Sequence, residues 1–280
     1  MITIKKVYLI IGAVVVVSVA FFFILQKEEI TEPEVLPTSS TAPLQEETLL
    51  ELEEDTSLQE DTTEELPTES MTEIILETET EISYEALLPF LEEDERTIED
   101  IADTEQIVIV QSYGTNANVM LFEQNSGEWE QVLETSGVVG RNGVSAESRE
   151  GDYRTPKGIF PLGIAFGTEN IENLSIEYRQ LNQRCYWVDD PESEYYNQWV
   201  ESDVVTWKSA EHLIDYPTAY HYVVAINYNM NPIVPYAGSA IFLHCRTADS
   251  TAGCVAVPTN DMVWILHWLD SSKNPMIWIY

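Results

Sequence analysis

Ile241–Val257 reads IFLHCRTADSTAGCVAV, and the fold of the C-terminal part of the chain follows from its pattern. An apolar run ends in His244, a short polar loop follows, and Thr251-Ala252-Gly253-Cys254 leads into a second apolar run. Two short runs of this kind, bounded by turn residues, read as neighbouring buried strands. They bring an imidazole and a thiol to the same end of a sheet. Only the thiolate is a good nucleophile, and a free thiol titrates near ~8.5. An adjacent imidazole supplies what is missing, by taking the proton or by holding it in an ion pair.

The same pattern of short strands extends outward on both sides. Gln106–Ser112 (QIVIVQS), Ala117–Gln124 (ANVMLFEQ) and Trp129–Ser136 (WEQVLETS) read as strands, the last two joined by a hairpin at Asn125-Ser126-Gly127. Further strands are expected over Gly158–Leu162, His221–Ile226, Ser239–His244, Cys254–Val257 and Pro275–Tyr280. Asn260–Leu269 has the spacing of large apolar residues expected of a helix, with Thr259 or Asn260 as its cap. Many short strands and one or two helices predict a mainly β domain. Gly140–Gly163 (GRNGVSAESREGDYRTPKGIFPLG) is dense in Gly, Pro and charge, which suits a functional loop running into a strand. Its Arg141, Arg149, Arg154 and Lys157 are candidates for reading a carboxylate, with solvated loop charges as the plainer explanation.

The chain has 280 residues and a formal net charge of −36, but the charge is unevenly spread. Between Glu28 and Glu105 there are 28 acidic residues and one base, Arg96. That segment, rich in Glu, Thr, Ser and Pro, has the composition of a disordered, self-repelling stalk. Its Ser83–Glu95 piece carries an apolar cluster, expected to form a short helix or a docking segment. Upstream, Val7–Leu25 is an apolar run of bilayer-spanning length, preceded by Lys5 and Lys6. The positive-inside bias puts the N-terminus in the cytoplasm and the rest of the chain outside. A cleavable signal peptide ending near Ser18-Val19-Ala20 is the rival reading, favoured less because Phe21–Leu25 would then open the mature chain. The expected organisation is therefore residues 1–27 as cytoplasmic tip and membrane anchor, 28–105 as stalk, and 106–280 as the folded domain. No basic patch points to nucleic acid. Three cysteines leave at least one unpaired: Cys185 and Cys245 either form a disulfide or are reduced core residues.

Three ordered segments carry a family resemblance: EGDYRTPKGIF at Glu150–Phe160, GSAIFLH at Gly238–His244 and STAGCVAV at Ser250–Val257. Together with the final helix and strand, they resemble the L,D-transpeptidase catalytic domain (YkuD type) of bacterial cell-wall enzymes. The resemblance spans about Gln106 to Tyr280 and implies a β-sandwich catalytic domain. It implies Cys254 as nucleophile and His244 as general base or ion-pair partner. It also implies backbone N–H groups around Gly253 and Cys254 as oxyanion donors, with Gly253 permitting close approach. The substrates would be peptidoglycan stem peptides as donor and acceptor, joined in a 3→3 cross-link through a thioester, with no metal or organic cofactor. The commoner signature has Ser-His-Gly-Cys and, two residues on, Arg or Asn; this chain has Thr251-Ala252-Gly253-Cys254 and Ala256. The partner of the stem carboxylate is thereby lost, and Arg246 or Arg154 is the substitute candidate. Thr251, Tyr222 and Asn227 complete the candidate substrate contacts, although a core aromatic is the plainer role for Tyr222. Rival functions on the same residues are an L,D-carboxypeptidase or amidase, in which water resolves the thioester, and a silent wall-binding module.

Overall fold

The structure is a computed structural model and describes residues 81–280. The candidate anchor Val7–Leu25 and most of the acidic stalk lie outside the described residues. Among those described, no helix is long and apolar enough to cross a membrane.

In chain order the elements begin with α1 (Leu88–Glu93), β1 (Gln106–Tyr113), β2 (Asn116–Asn125) and β3 (Glu128–Val138). The loop region contributes β4 (Val144–Ser145) and β5 (Thr155–Pro156), followed by β6 (Gly158–Gly167) and β7 (Tyr178–Gln180). An inserted three-stranded sheet follows: β8 (Cys185–Val188), β9 (Gln198–Glu201) and β10 (Ala210–His212). The chain ends with β11 (Val223–Ile226), β12 (Phe242–Cys245), β13 (Val255–Val257), α2 (Thr259–Trp268) and β14 (Met276–Ile279). The expected β2–β3 hairpin is present. Its two turn residues, Ser126 (φ 52°) and Gly127 (φ 88°), both adopt the left-handed backbone that matches the twist of a two-residue hairpin.

Nine strands form the main sheet in the order β11-β12-β13-β3-β2-β1-β14-β6-β7, and β11 also pairs with β6. The expected two layers are thus one sheet curled until it closes. The long strand β6 makes the corner: Gly158–Pro161 pair with β14, while Leu162–Phe166 pair with β11 across a register shift. A strand that changes partners at a bulge is the usual way to turn such a corner. Closure also leaves few unpaired backbone groups at the edges.

The alternation of residues along each strand sorts the core. Val108, Val110, Val119, Leu121, Leu243, Val255 and Ile277 face one interior cluster, joined by Met262, Ile265 and Leu266 of α2. The opposite face of β1, β2 and β14 presents Ile107, Ile109, Met120, Phe122 and Trp278. Leu87, Leu91 and Ile101 cover that face, so the folded body takes in residues upstream of Gln106. Pro89 starts α1, a position where its missing N–H costs nothing. Asp94, with a side chain 1% exposed, locks the segment down: it accepts from Trp278 Nε1 (2.8 Å) and Arg96 Nε (3.2 Å) and pairs with Lys157. Helix α2 begins after Pro258 with no side-chain cap, so Thr259 is its first residue and not its cap. Cys185, Cys245 and Cys254 are all free. Cys185 and Cys245 pack in different clusters on opposite faces of the sheet, which separates the pair considered for a disulfide.

Candidate active site

β12 and β13 run parallel, with Leu243 opposite Val255 and His244 opposite Ala256. Period-2 alternation then sends Leu243, Cys245, Val255 and Val257 into the interior cluster. Phe242, His244, Cys254 and Ala256 fall on the other face, beneath the inserted sheet. His244 and Cys254 line one cavity of about 260 Å³ together with Glu211, Tyr216, Tyr220, Thr251, Ala252 and Ala256. A larger cavity of about 730 Å³, lined by Pro161, Leu162, Ile164, Ile176 and Met276, lies elsewhere and contains no such nucleophile.

Backbone hydrogen bonding fixes the turn before Cys254. Thr251 Oγ1 accepts from Gly253 N (3.1 Å) and donates to Cys254 O (2.6 Å). Thr155, buried at the end of the polar loop, donates its hydroxyl to the same carbonyl at 3.2 Å and accepts from Gly140 N at 2.8 Å. Gly253 has φ +154°, and a Cβ there would meet Arg154 O at 3.1 Å and Ile241 Cδ1 at 3.2 Å. Glycine at this position is a steric requirement. Its N–H is already donated to Thr251, so donation to an oxyanion would require that hydroxyl to release it.

Cys254 is 7% exposed, and its sulfur sits between Phe242 N and Ala240 O, each 3.4 Å away. Burial pushes the thiol well above its ordinary value, and the Glu211 carboxylate adds to that; the Phe242 N–H works the other way. His244 is 8% exposed, with Nδ1 at 2.9 Å from Cys245 O. A carbonyl can only accept, so Nδ1 carries the proton and Nε2 keeps its lone pair. Burial lowers the imidazole's proton affinity, partly offset by that carbonyl. Both shifts favour the neutral thiol and neutral imidazole over an ion pair. The hydrogen-bonding neighbours of the thiol are backbone groups, Phe242 N and Ala240 O.

Residues 106–277 match the family model of the YkuD L,D-transpeptidase catalytic domain. The chain belongs to this family. Among solved structures, that of Bdellovibrio bacteriovorus Bd1075 is similar over 65% of this chain and 50% of its own, at 16% identity and a TM-score of 0.33. The chain thus spans half the length of that structure. No curated protein matches the chain.

The YkuD motif at Glu150–Phe160 has a clear physical role here. Asp152 accepts from Arg149 N and Arg154 N, both at 2.8 Å, and so shapes the loop that delivers Thr155 to the Cys254 carbonyl. Glu150 accepts from Tyr196 Oη (2.6 Å) and Ser239 Oγ (2.8 Å), tying the loop to the chain just ahead of β12. Three of the candidate carboxylate readers are otherwise committed. Arg246 bonds Ala248 O and Asp249 on its own loop, Lys157 pairs with Asp94, and Arg141 lies over the Tyr153 ring at 3.3 Å. Arg154 is exposed and contributes its backbone carbonyl near Gly253. Tyr222 packs against the interior cluster, where its carbonyl meets Cys245 Sγ, on the far side of the sheet from Cys254. Asn227 lines a different cavity with Phe160, Tyr228 and Met230. Of the candidates, Cys254, His244 and Thr251 therefore share the site, with Gly253 shaping its turn.

Glu211 and Tyr220 were not legible in the sequence. Glu211 sits on β10 opposite Trp187 and accepts from the Tyr220 hydroxyl. Tyr220 is buried edge-on to His244, with ring centroids 5.7 Å apart. Burial pushes the Glu211 carboxyl up to about 7; the Tyr220 hydroxyl opposes this, while Asp189 and Glu150 add to it. A single Glu in an ordinary polar stretch carries no signal of its own. Only the folding of the insertion over β12 and β13 brings it to the thiol.

Proposed function

We propose that this YkuD-family protein is a peptidoglycan L,D-transpeptidase that forms 3→3 cross-links through a Cys254 thioester. One observation carries the reading: in a chain of this family, Cys254 and His244 line the same cavity at the ends of adjacent parallel strands. The thiol proton passes to His244 Nε2 as sulfur attacks the donor carbonyl between the third stem residue and the terminal D-Ala. The imidazolium returns the proton to the departing amine, leaving the thioester. An acceptor amine then forms the C–N bond, the C–S bond breaks, and the amine's proton restores the thiol. Neutral starting groups suit this sequence, because His244 begins as a competent base.

The membrane term of the proposal rests on sequence: Val7–Leu25 behind Lys5 and Lys6 would hold the domain outside the cell, facing the wall. The deciding experiment is mass spectrometry of products after incubating the protein with tetrapeptide muropeptides. Cross-linked dimers, absent with Cys254→Ala, support transfer. Tripeptide as the sole product would assign a carboxypeptidase instead.

A further inference from the structure

The cavity that holds Cys254 has an unusual charge pattern. Beside His244, Glu211 is the one ionisable carboxyl among its lining residues, and no Lys or Arg joins it. The two positions where the commoner signature carries His and Arg or Asn are Ala252 and Ala256, and both line this cavity. A cation is therefore missing where the family pattern would put one, and an acid enters from the inserted sheet.

Glu211 is held firmly. Its strand pairs with β8, and the neighbouring His212 stacks on Tyr186 with centroids 4.6 Å apart. His212 also reaches Asp215 and Gln183 O at 3.0 Å each. The Tyr220 ring that donates to Glu211 Oε2 is fixed among Phe166, Phe242 and His244. Among the described residues Oε1 has no hydrogen-bond partner, and Glu211 lines the cavity where a ligand would meet it. A half-buried carboxyl in this setting favours an ammonium and disfavours a second carboxylate.

We propose that Glu211 selects the acyl acceptor, receiving a primary ammonium whose carbon bears no free carboxylate and turning away amines that carry one. The inference rests on the reading that an amine resolves the Cys254 thioester, and it names the class of that amine: a side-chain, bridge or amidated amine, not a free α-amino acid. The released D-Ala bears both groups on one carbon, so the same residue opposes its return to the thioester. By then Cys254 is a thioester: the bound ammonium first gives one proton to neutral His244, its nitrogen forms the C–N bond as the C–S bond breaks, and a second proton from that nitrogen restores the thiol.

The test uses the full chain, a tetrapeptide donor and three acceptors: Nα-acetyl-lysine amide, D-alaninamide and D-alanine. Transfer products are measured by mass spectrometry and divided by each amine's rate with a free N-acetylcysteamine thioester, which removes intrinsic nucleophilicity. The expected wild-type preference for D-alaninamide over D-alanine is at least about tenfold, equivalent to about 1.4 kcal/mol. In Glu211→Gln that ratio should fall toward one, whatever the change in the rate at which the donor forms the thioester. General structural damage would slow transfer to both amines together. A normalised wild-type ratio near one overturns the inference without any variant. So does an unchanged ratio in a folded Glu211→Gln. If wild type forms the thioester but yields only tripeptide with every amine, the transpeptidase reading falls with it.

Discussion

Asp94→Ala is the most informative single perturbation of the fold, because one carboxylate joins the segment ahead of β1 to the final strand and to the loop motif. In the native structure Asp94 accepts from Trp278 Nε1 at 2.8 Å and Arg96 Nε at 3.2 Å, and pairs with Lys157. Removing it strands the Trp278 indole N–H inside the protein, at a cost of about 1–3 kcal/mol. The loss of two cationic partners adds less than a fully buried pair would, because Lys157 (41% exposed) and Arg96 (30%) can turn to water. The sum is about 2–4 kcal/mol. A domain of this size loses about 2–4 °C of Tm per kcal/mol, so a drop of about 4–16 °C is expected in calorimetry at pH 7. Lys157→Met should cost under about 1 kcal/mol. The pH dependence supplies a second check. Burial works against the Asp94 charge, but Lys157, Trp278 and Arg96 outweigh it and hold the carboxyl below its ordinary value. A depressed carboxyl stabilises above the unfolded value of ~3.9 and loses that contribution as pH falls through the folded one. The gap between wild type and Asp94→Ala should therefore be widest near neutrality and narrow below about pH 4. A Tm change under about 1 °C, or a Lys157→Met effect as large as that of Asp94→Ala, would refute the anchoring argument.

Other substitutions probe the site directly. Asn197→Ala removes an amide that accepts from Trp187 Nε1 and Ala240 N and donates to Tyr228 O and Asn229 O. A loss of about 2–4 kcal/mol in urea unfolding is expected, since buried partners are left unpaired. Gly253→Ala forces a side chain onto a φ of +154° beside Arg154 O; a cost of about 1–3 kcal/mol and slower thioester formation should both appear. Alkylation of Cys254 by iodoacetamide should be slow at pH 7 and still rising above pH 9, because burial and Glu211 hold the thiol neutral. A plateau near neutral pH would indicate an ion pair instead. Since burial lowers the His244 proton affinity, the acid limb of donor acylation should lie below the ordinary imidazole value of ~6.5.

The legible parts of this chain were those written in local pattern. Short apolar runs over Gln106–Ser112 and Ala117–Gln124 mark two core strands, and the Ser126-Gly127 turn marks the hairpin of the second with Trp129–Ser136. The less legible parts depend on partners distant in sequence. β6 extends beyond Leu162 to Gly167 because β11 offers a second edge to pair with, which no local signal records. Within the acidic stretch, Ser83–Glu95 was expected to form a short helix or docking segment, but the surface it covers, over Trp278 and Phe122, has no local signal. Tyr222 and Asn227 sit close in sequence to residues of the Cys254 face but project elsewhere. On a strand, a shift of one position reverses the face, and beyond the strand end the chain bends away.

For Ile241–Val257, the sequence alone placed Cys254 and His244 at the same end of two neighbouring strands; the parallel register of β12 and β13 then put them on one face. The ordered motifs of the sequence also pointed to the family, while the need for glycine at 253 came from the folded backbone. The tertiary structure decided the electrostatic character of the pair. The insertion between β7 and β11 folds over it, excludes water, and brings Glu211 and Tyr220 from a stretch with no motif. Desolvation and a nearby carboxylate act through space, and their strength depends on which surfaces pack together. Neither quantity is encoded at any single position, so neither could be read before the chain was folded.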